Sequence, residues 1–251
     1  KSLFLGIIGG VFGGMFLALI LAISGISLNA DQTISGIALN MFASGVSSFG
    51  FWILFGISTS PPIIAKLAMI QIPILSKIPA IGEIFFNQSI IVYLCYILVF
   101  LSSILVFKTT FGLKLRACGE YPKAAETMGV NVIAMRYKAT LICGAFAGLG
   151  GAFLSLVALG MFCDDVTAGR GFVALAIVIF GRWNPFLCLL AAFFFGTVDA
   201  LQLRLQAFGL QIPYQFLLML PYLFTIVTMI FTNTNTVGPA SVGEPYEREQ
   251  M

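Results

Sequence analysis

Two stretches, Ile84 to Phe107 and Ala139 to Cys163, run without a single charged side chain, and they limit the fold more than any other feature. Each is longer than the roughly 20 apolar residues an α-helix needs to cross a bilayer core. Ser2 to Leu28 and Thr33 to Phe55 are uncharged as well. Only 9% of the chain is charged and 59% is hydrophobic, against about 25% charged in soluble domains. In hydrocarbon every backbone polar group needs an internal partner, which leaves helices or closed barrels. The runs are too long and too continuous for the alternating strands of about ten residues that build a barrel. The fold class is therefore all-α, a polytopic helical membrane protein.

Several functions drop out early. The chain has no histidine, so His-based triads, His-ligated metals and His proton relays are excluded. Its five cysteines (Cys95, Cys118, Cys143, Cys163, Cys188) form no CxxC pair and read as small apolar residues, so no metal site is expected. Nucleic-acid binding would need a clustered basic face with aromatic platforms, and none is present. The GxxxxGK[ST] loop that cradles phosphates is missing too. The sequence begins at Lys1, almost directly in a span, and is expected to lack an N-terminal fragment. It does not read as a signal peptide, because no small-residue cleavage site follows the apolar run.

Residues 1–231 read as one transmembrane domain, followed by a polar C-terminal tail, 232–251, expected to fray. Gly6, Gly10 and Gly14 recur every fourth residue in the first span, which predicts a face for close helix–helix approach. Residues 58–88 carry four prolines and read as a partly structured external loop. Ser89 to Phe107 and Ala139 to Met161 cross the membrane. Gly171 to Phe180 is apolar but about half a span in length, which predicts a half-helix or re-entrant element. Phe186 to Phe208 and Tyr214 to Phe231 complete the set.

Between the two central spans lies Lys108 to Lys138, which holds six of the thirteen Lys and Arg residues. Basic loops stay on the cytoplasmic side. Within it, Pro122 suits the first turn of a helix, Lys123 to Met128 gives about two turns, and Gly129 provides a left-handed end. Small exposed residues, Ala124 and Ala125, would fit a groove on a partner. An ordinary solvated loop explains the same residues, and both readings stand at this point.

Gly119-Glu-Tyr-Pro-Lys-Ala-Ala-Glu-Thr-Met-Gly129 resembles the coupling-helix segment of ABC-importer permeases of the ribose/branched-chain amino acid type. The whole chain is similar to the subgroup that works with Bmp-type lipoproteins in nucleoside uptake. The similarity runs through Ala30 to Asn40, Ile78 to Gly82, Thr167 to Ala176, Phe180 to Pro185, Asp199 to Arg204, Ile212 to Gln215 and Met219 to Tyr222. Such permeases usually begin with one or two more spans.

The resemblance implies the transmembrane domain of an ABC importer, without covalent chemistry of its own, in a bacterial cytoplasmic membrane. A second homologous permease subunit would complete the path. ABC ATPase subunits carrying ATP and Mg would dock on Gly119, Glu120, Pro122, Ala124, Ala125, Glu126 and Gly129. An external substrate-binding lipoprotein would meet Asp165 and Arg170, which serve equally well as interfacial anchors. No cofactor would bind this chain.

Pathway candidates are polar residues at membrane depth. Asp199, Gln202 and Gln206 share one helix face, and Asn40 lies on the second span. A buried structural hydrogen-bond network is the alternative for that face. Riboflavin and simple sugars are alternative substrates. A secondary transporter is the alternative mechanism, resting on Asp199 and the broken segment at Gly171 to Gly181.

Overall fold

The computed structural model describes residues 3–56, 69–71, 86–163, 166–208 and 238–246, with isolated positions 216, 219, 223 and 226. Eight helices and one two-stranded ribbon are defined among these residues. Five helical stretches are long and apolar enough to cross a membrane: Leu3–Ser27, Gln32–Phe55, Ile90–Lys108, Val132–Leu159 and Pro185–Ala207. Tyr214 to Phe231, expected to span, falls outside the described residues apart from the isolated positions, as does nearly all of the 58–88 loop.

The first helix, α1 (Leu3–Ala22), continues through a π-helical turn, Ile23–Ser27. Helix α2 spans Gln32–Phe55 and is capped by Asp31, whose carboxylate accepts from the Thr33 and Ile34 amides at 2.8 and 3.0 Å. This satisfies two of the donors that a helix start leaves open. Strands β1 (Met69–Gln71) and β2 (Asn87–Ser89) pair antiparallel, with Ile70 opposite Gln88. The ribbon ties the middle of the 58–88 loop to its end, a local exception among described residues that are mostly helical.

Helix α3 covers Ile90–Lys108, and α4 (Thr110–Glu120) leaves it at a sharp corner. A Cβ on Gly112 would collide with the carbonyls of Leu105 and Val106, so the corner needs glycine. Helices α5 (Pro122–Thr127) and α6 (Val132–Phe153) follow, α6 continuing as the π-helical Leu154–Leu159. Helix α7 is Arg170–Phe180 and α8 is Pro185–Ala207. The eleven residues of α7 agree with the half-span expected at Gly171 to Phe180.

The membrane-spanning framework is centred on α1 packed antiparallel along α6. Gly10 and Gly14 lie on Gly148 and Gly144, and Gly6 lies on Leu156 of the following π turn. A Cβ on Gly10 would sit 3.0 Å from the Gly148 carbonyl oxygen and 3.2 Å from Ala152 Cβ. One on Gly14 would overlap the Gly144 carbonyl. Lipid tails are as apolar as leucine, so helices associate through such close backbone contact rather than by hydrophobic burial. The four-residue glycine spacing does what the sequence predicts. At one end of this pair Ser27 Oγ and Tyr137 Oη share a hydrogen bond of 2.5 Å. That contact puts the α1–α2 connection at the same end as the basic segment.

The extent of that segment differs from the expectation of a loop over Lys108 to Lys138. Most of it is helical, and α6 begins at Val132, seven residues before the apolar run at Ala139. Apolar composition marks only the part of a helix that lies in lipid. Asn131 starts α6 by accepting from the Ala134 amide at 2.9 Å, and Arg136 and Lys138 lie on the first turns of this helix.

Candidate functional site: the basic end and its short helix

Helix α5 is six residues long, too short to persist alone in water. Its ends are fixed locally. Pro122 fills the first position, where a missing N–H costs nothing. Gly129 adopts φ +78°, its amide donates to the Glu126 carbonyl at 2.8 Å, and the Val130 amide donates to the Ala125 carbonyl at 3.0 Å. This is the left-handed glycine end expected from the sequence.

The rest of its support is tertiary. Cys118, Ala125, Val132, Met135 and Tyr246 form one buried cluster, with Phe111, Leu115, Ala117 and Val130 packed against it. Ala125, expected on the exposed face with Ala124, instead points into this cluster and is 5% exposed. One helix face has to be buried for so short an element to be held, and Ala125 lies on it. The outward residues are Tyr121, Lys123, Ala124, Thr127 and Met128, Met128 being 83% exposed. Glu120 and Gly129 are also exposed, while Gly119, Pro122 and Glu126 are half-buried. Burial pushes the Cys118 thiol upward from its ordinary pKa, with the Arg136 guanidinium opposing.

Tyr246 belongs to the tail expected to fray. Residues 238–246 instead lie across the basic end. The Ser241 amide donates to the Gly119 carbonyl at 2.9 Å, and Arg136 Nη1 donates to the Glu244 carbonyl at 2.8 Å. The Tyr246 hydroxyl donates to the Glu126 carboxylate, and its ring lies 5.7 Å from the Arg136 guanidinium. A cleft of about 220 Å³ runs between tail and helices, lined in part by Gln32, Cys118, Arg136, Thr140 and Ser241.

The expected pathway residues sit elsewhere. Asp199, Gln202 and Gln206 all fall on α8 and on one face of it; Gln202 is buried at 5% exposure and the other two are half-buried. Arg204 is exposed. Asn40 is exposed on α2, which buries none of its residues within this chain. Asp165 lies outside the described residues, and Arg170 is the first residue of α7. The structure thus gathers the coupling candidates at one end and does not join Asn40 to the α8 face.

Sequence reasoning missed Arg136, Tyr246 and the orphaned polar atoms of β2. Asn87 Oδ1 and Ser89 Oγ are buried without a hydrogen-bond partner. In the turn before α8, Arg182 and Trp183 hold left-handed conformations with φ +50° and +59°. Asn184 then caps α8 through the Phe186 amide at 3.0 Å.

The described residues thus make a set of membrane-length helices with a short helix packed at their basic end. The chain belongs to the family described as branched-chain amino acid transport system / permease component, which matches residues 1–232. It is a multi-pass protein of the cytoplasmic membrane. The guanosine ABC transporter permease NupQ of Bacillus subtilis is 39% identical over 249 residues, covering 96% of this chain and 77% of that protein. The nucleoside ABC transporter permease NupC of Lactococcus lactis is 36% identical, covering 95% and 75%. A putative glucose ABC transporter permease, TsgC13 of Haloferax volcanii, is 37% identical over 80% of this chain and 61% of its own length. No solved structure matches the chain.

Proposed function

We propose that this chain is the permease subunit of an ATP-driven importer whose cargo is a nucleoside. The observation that carries the reading is the likeness to two nucleoside permeases over 95% or more of the chain. The architecture supports the mechanism. A short helix that starts at Pro122, ends at a left-handed glycine and is seated on a packed cluster at the basic end is suited to receive force from an ATPase partner.

In this reading a second homologous permease subunit completes the path, and an external substrate-binding lipoprotein delivers the nucleoside. Asp165 and Arg170 are the candidate contacts for it. ATP and Mg are held by the ATPase partners, which dock on the Glu120 to Gly129 segment through Tyr121, Ala124 and Met128. Closure of the ATPases moves α5, and the motion reaches the spans through α4 and α6. Gln202, Asp199 and Gln206 offer amide and carboxylate partners to the hydroxyls and base of a nucleoside. Exposed Asn40 on α2 is costly against lipid, which favours a place facing the path or the second subunit.

A simple sugar is the second reading, favoured by the Haloferax relative. Competition decides between them. Radiolabelled guanosine uptake by the complete transporter in proteoliposomes is expected to fall with excess unlabelled adenosine or uridine and not with glucose, ribose or riboflavin. Competition by a sugar or riboflavin alone would reassign the cargo.

A further inference from the structure

We propose that residues 238–246 form a strap that holds the short helix α5 to its neighbours, with Tyr246 and Arg136 as positioning residues for coupling. The proposal rests on the reading of α5 as the ATPase-docking helix.

A lever transmits force only if it moves with what it is meant to drive. Helix α5 joins α4 through the single residue Tyr121, and it joins α6 through residues 128–131. Neither link is regular helix. The tail bridges all three elements. Ser241 bonds the end of α4 at Gly119, and Pro239 lies beside it, 3.2 Å from where a Gly119 Cβ would stand. Tyr246 reaches α5 at Glu126, and Arg136 of α6 holds both the Glu244 carbonyl and the Tyr246 ring.

At its other end the strap meets the turn before α8. A Cβ on Gly238 would lie 3.2 Å from Trp183 Nε1. Trp183 stands in a left-handed conformation that non-glycine residues rarely hold, so the turn is shaped by its surroundings. The strap therefore gives a contact route from α5 to α8, the helix that carries Asp199, Gln202 and Gln206. A contiguous chain of packed and hydrogen-bonded groups is what coupling between distant sites requires.

The test measures guanosine uptake and ATP hydrolysis on the same proteoliposomes containing the complete transporter. Tyr246→Ala, and a chain ending at Gly243, are expected to lower guanosine transported per ATP by about three- to thirtyfold, the range over which single residues in coupling networks act. Tyr246→Phe removes the hydroxyl that donates to the Glu126 carboxylate, and Glu126→Gln weakens that bond by replacing the carboxylate with a neutral amide oxygen. Both variants are expected to lower the ratio about two- to tenfold, the range a single typical hydrogen bond commands, and they decide the matter if the shortened chain fails to assemble. A wild-type ratio in all the variants that assemble overturns the strap.

Cys118 gives a readout independent of transport. In a full-length complex with Cys118 as its only thiol, maleimide labelling from the basic side is expected to be slow and to speed up at least tenfold with Tyr246→Ala. Equal rates overturn the proposal. Ala124→Arg separates the two readings. If it leaves uptake intact, α5 does not dock an ATPase; if it stops uptake while the strap variants behave as wild type, the strap alone falls.

Discussion

The α1–α6 pair and the α4–α5–tail assembly are held together by different physics. In the first, glycine backbones meet directly, Gly10 on Gly148 and Gly14 on Gly144, because lipid offers no hydrophobic gain for association. In the second, the elements are short and carry the basic side chains that stay on the aqueous side of a membrane. Side chains bury one another there, and Cys118, Ala125, Val132, Met135 and Tyr246 make a small soluble-type core. The first arrangement suits a fixed frame, since the backbones touch with no room for even a Cβ between them. The second is built from a few side chains and hydrogen bonds, and suits a part that receives a partner and shifts.

The largest way to break this contrast is to fill the frame. Gly14→Leu places a side chain where even a Cβ overlaps the Gly144 carbonyl. Overpacking of this kind costs about 1–3 kcal/mol and more where backbone blocks the site. We expect loss of monodisperse protein in detergent chromatography, with no ATPase complex recovered. A normal elution profile would show that the α1–α6 contact is not the frame.

Next comes a paired substitution on α5. Ala125→Phe drives a ring into the cluster and should destabilise the basic end by about 1–3 kcal/mol, read as a lower thermal midpoint and faster hydrogen exchange over residues 118–136. Ala124→Phe, on the exposed neighbour, should leave both unchanged while reducing uptake. Equal thermal effects at the two positions would contradict the burial pattern of α5.

The smallest effect concerns a cap. Asn131→Ala removes the acceptor for the Ala134 amide and should cost about 1 kcal/mol. Exchange should speed up in the first turn of α6 and stay constant in α1. Faster exchange throughout α1 as well would mean that frame and lever are one cooperative unit.

Most of the frame was legible in the sequence, because charge-free runs and glycine spacing report directly on lipid and on close approach. The first span, the half-length α7 and the α5 bounds at Pro122 and Gly129 all carry local signals. The lever was legible only in part. Arg136 and Lys138 lie on α6 yet read as loop, since polarity ends the hydrophobic pattern before the helix ends. Ala125 and Ala124 are alike in composition, and only the position of Val132 and Tyr246 separates buried from exposed. Residues 238–246 were misjudged for the same reason: Tyr246 meets Glu126 across 120 residues of chain, and nothing local in a polar, glycine-containing segment marks that contact. The caps Asp31, Asn131 and Asn184 did carry a local signal, an Asx residue just before an apolar helix.

The most direct test of the central claim compares wild type with Ala124→Arg in the complete transporter, following labelled guanosine uptake with and without ATP. The account predicts uptake that requires ATP in the wild type and is lost in Ala124→Arg, with the variant still inserted in the membrane. Guanosine accumulation without ATP, or undiminished uptake by Ala124→Arg, would contradict it.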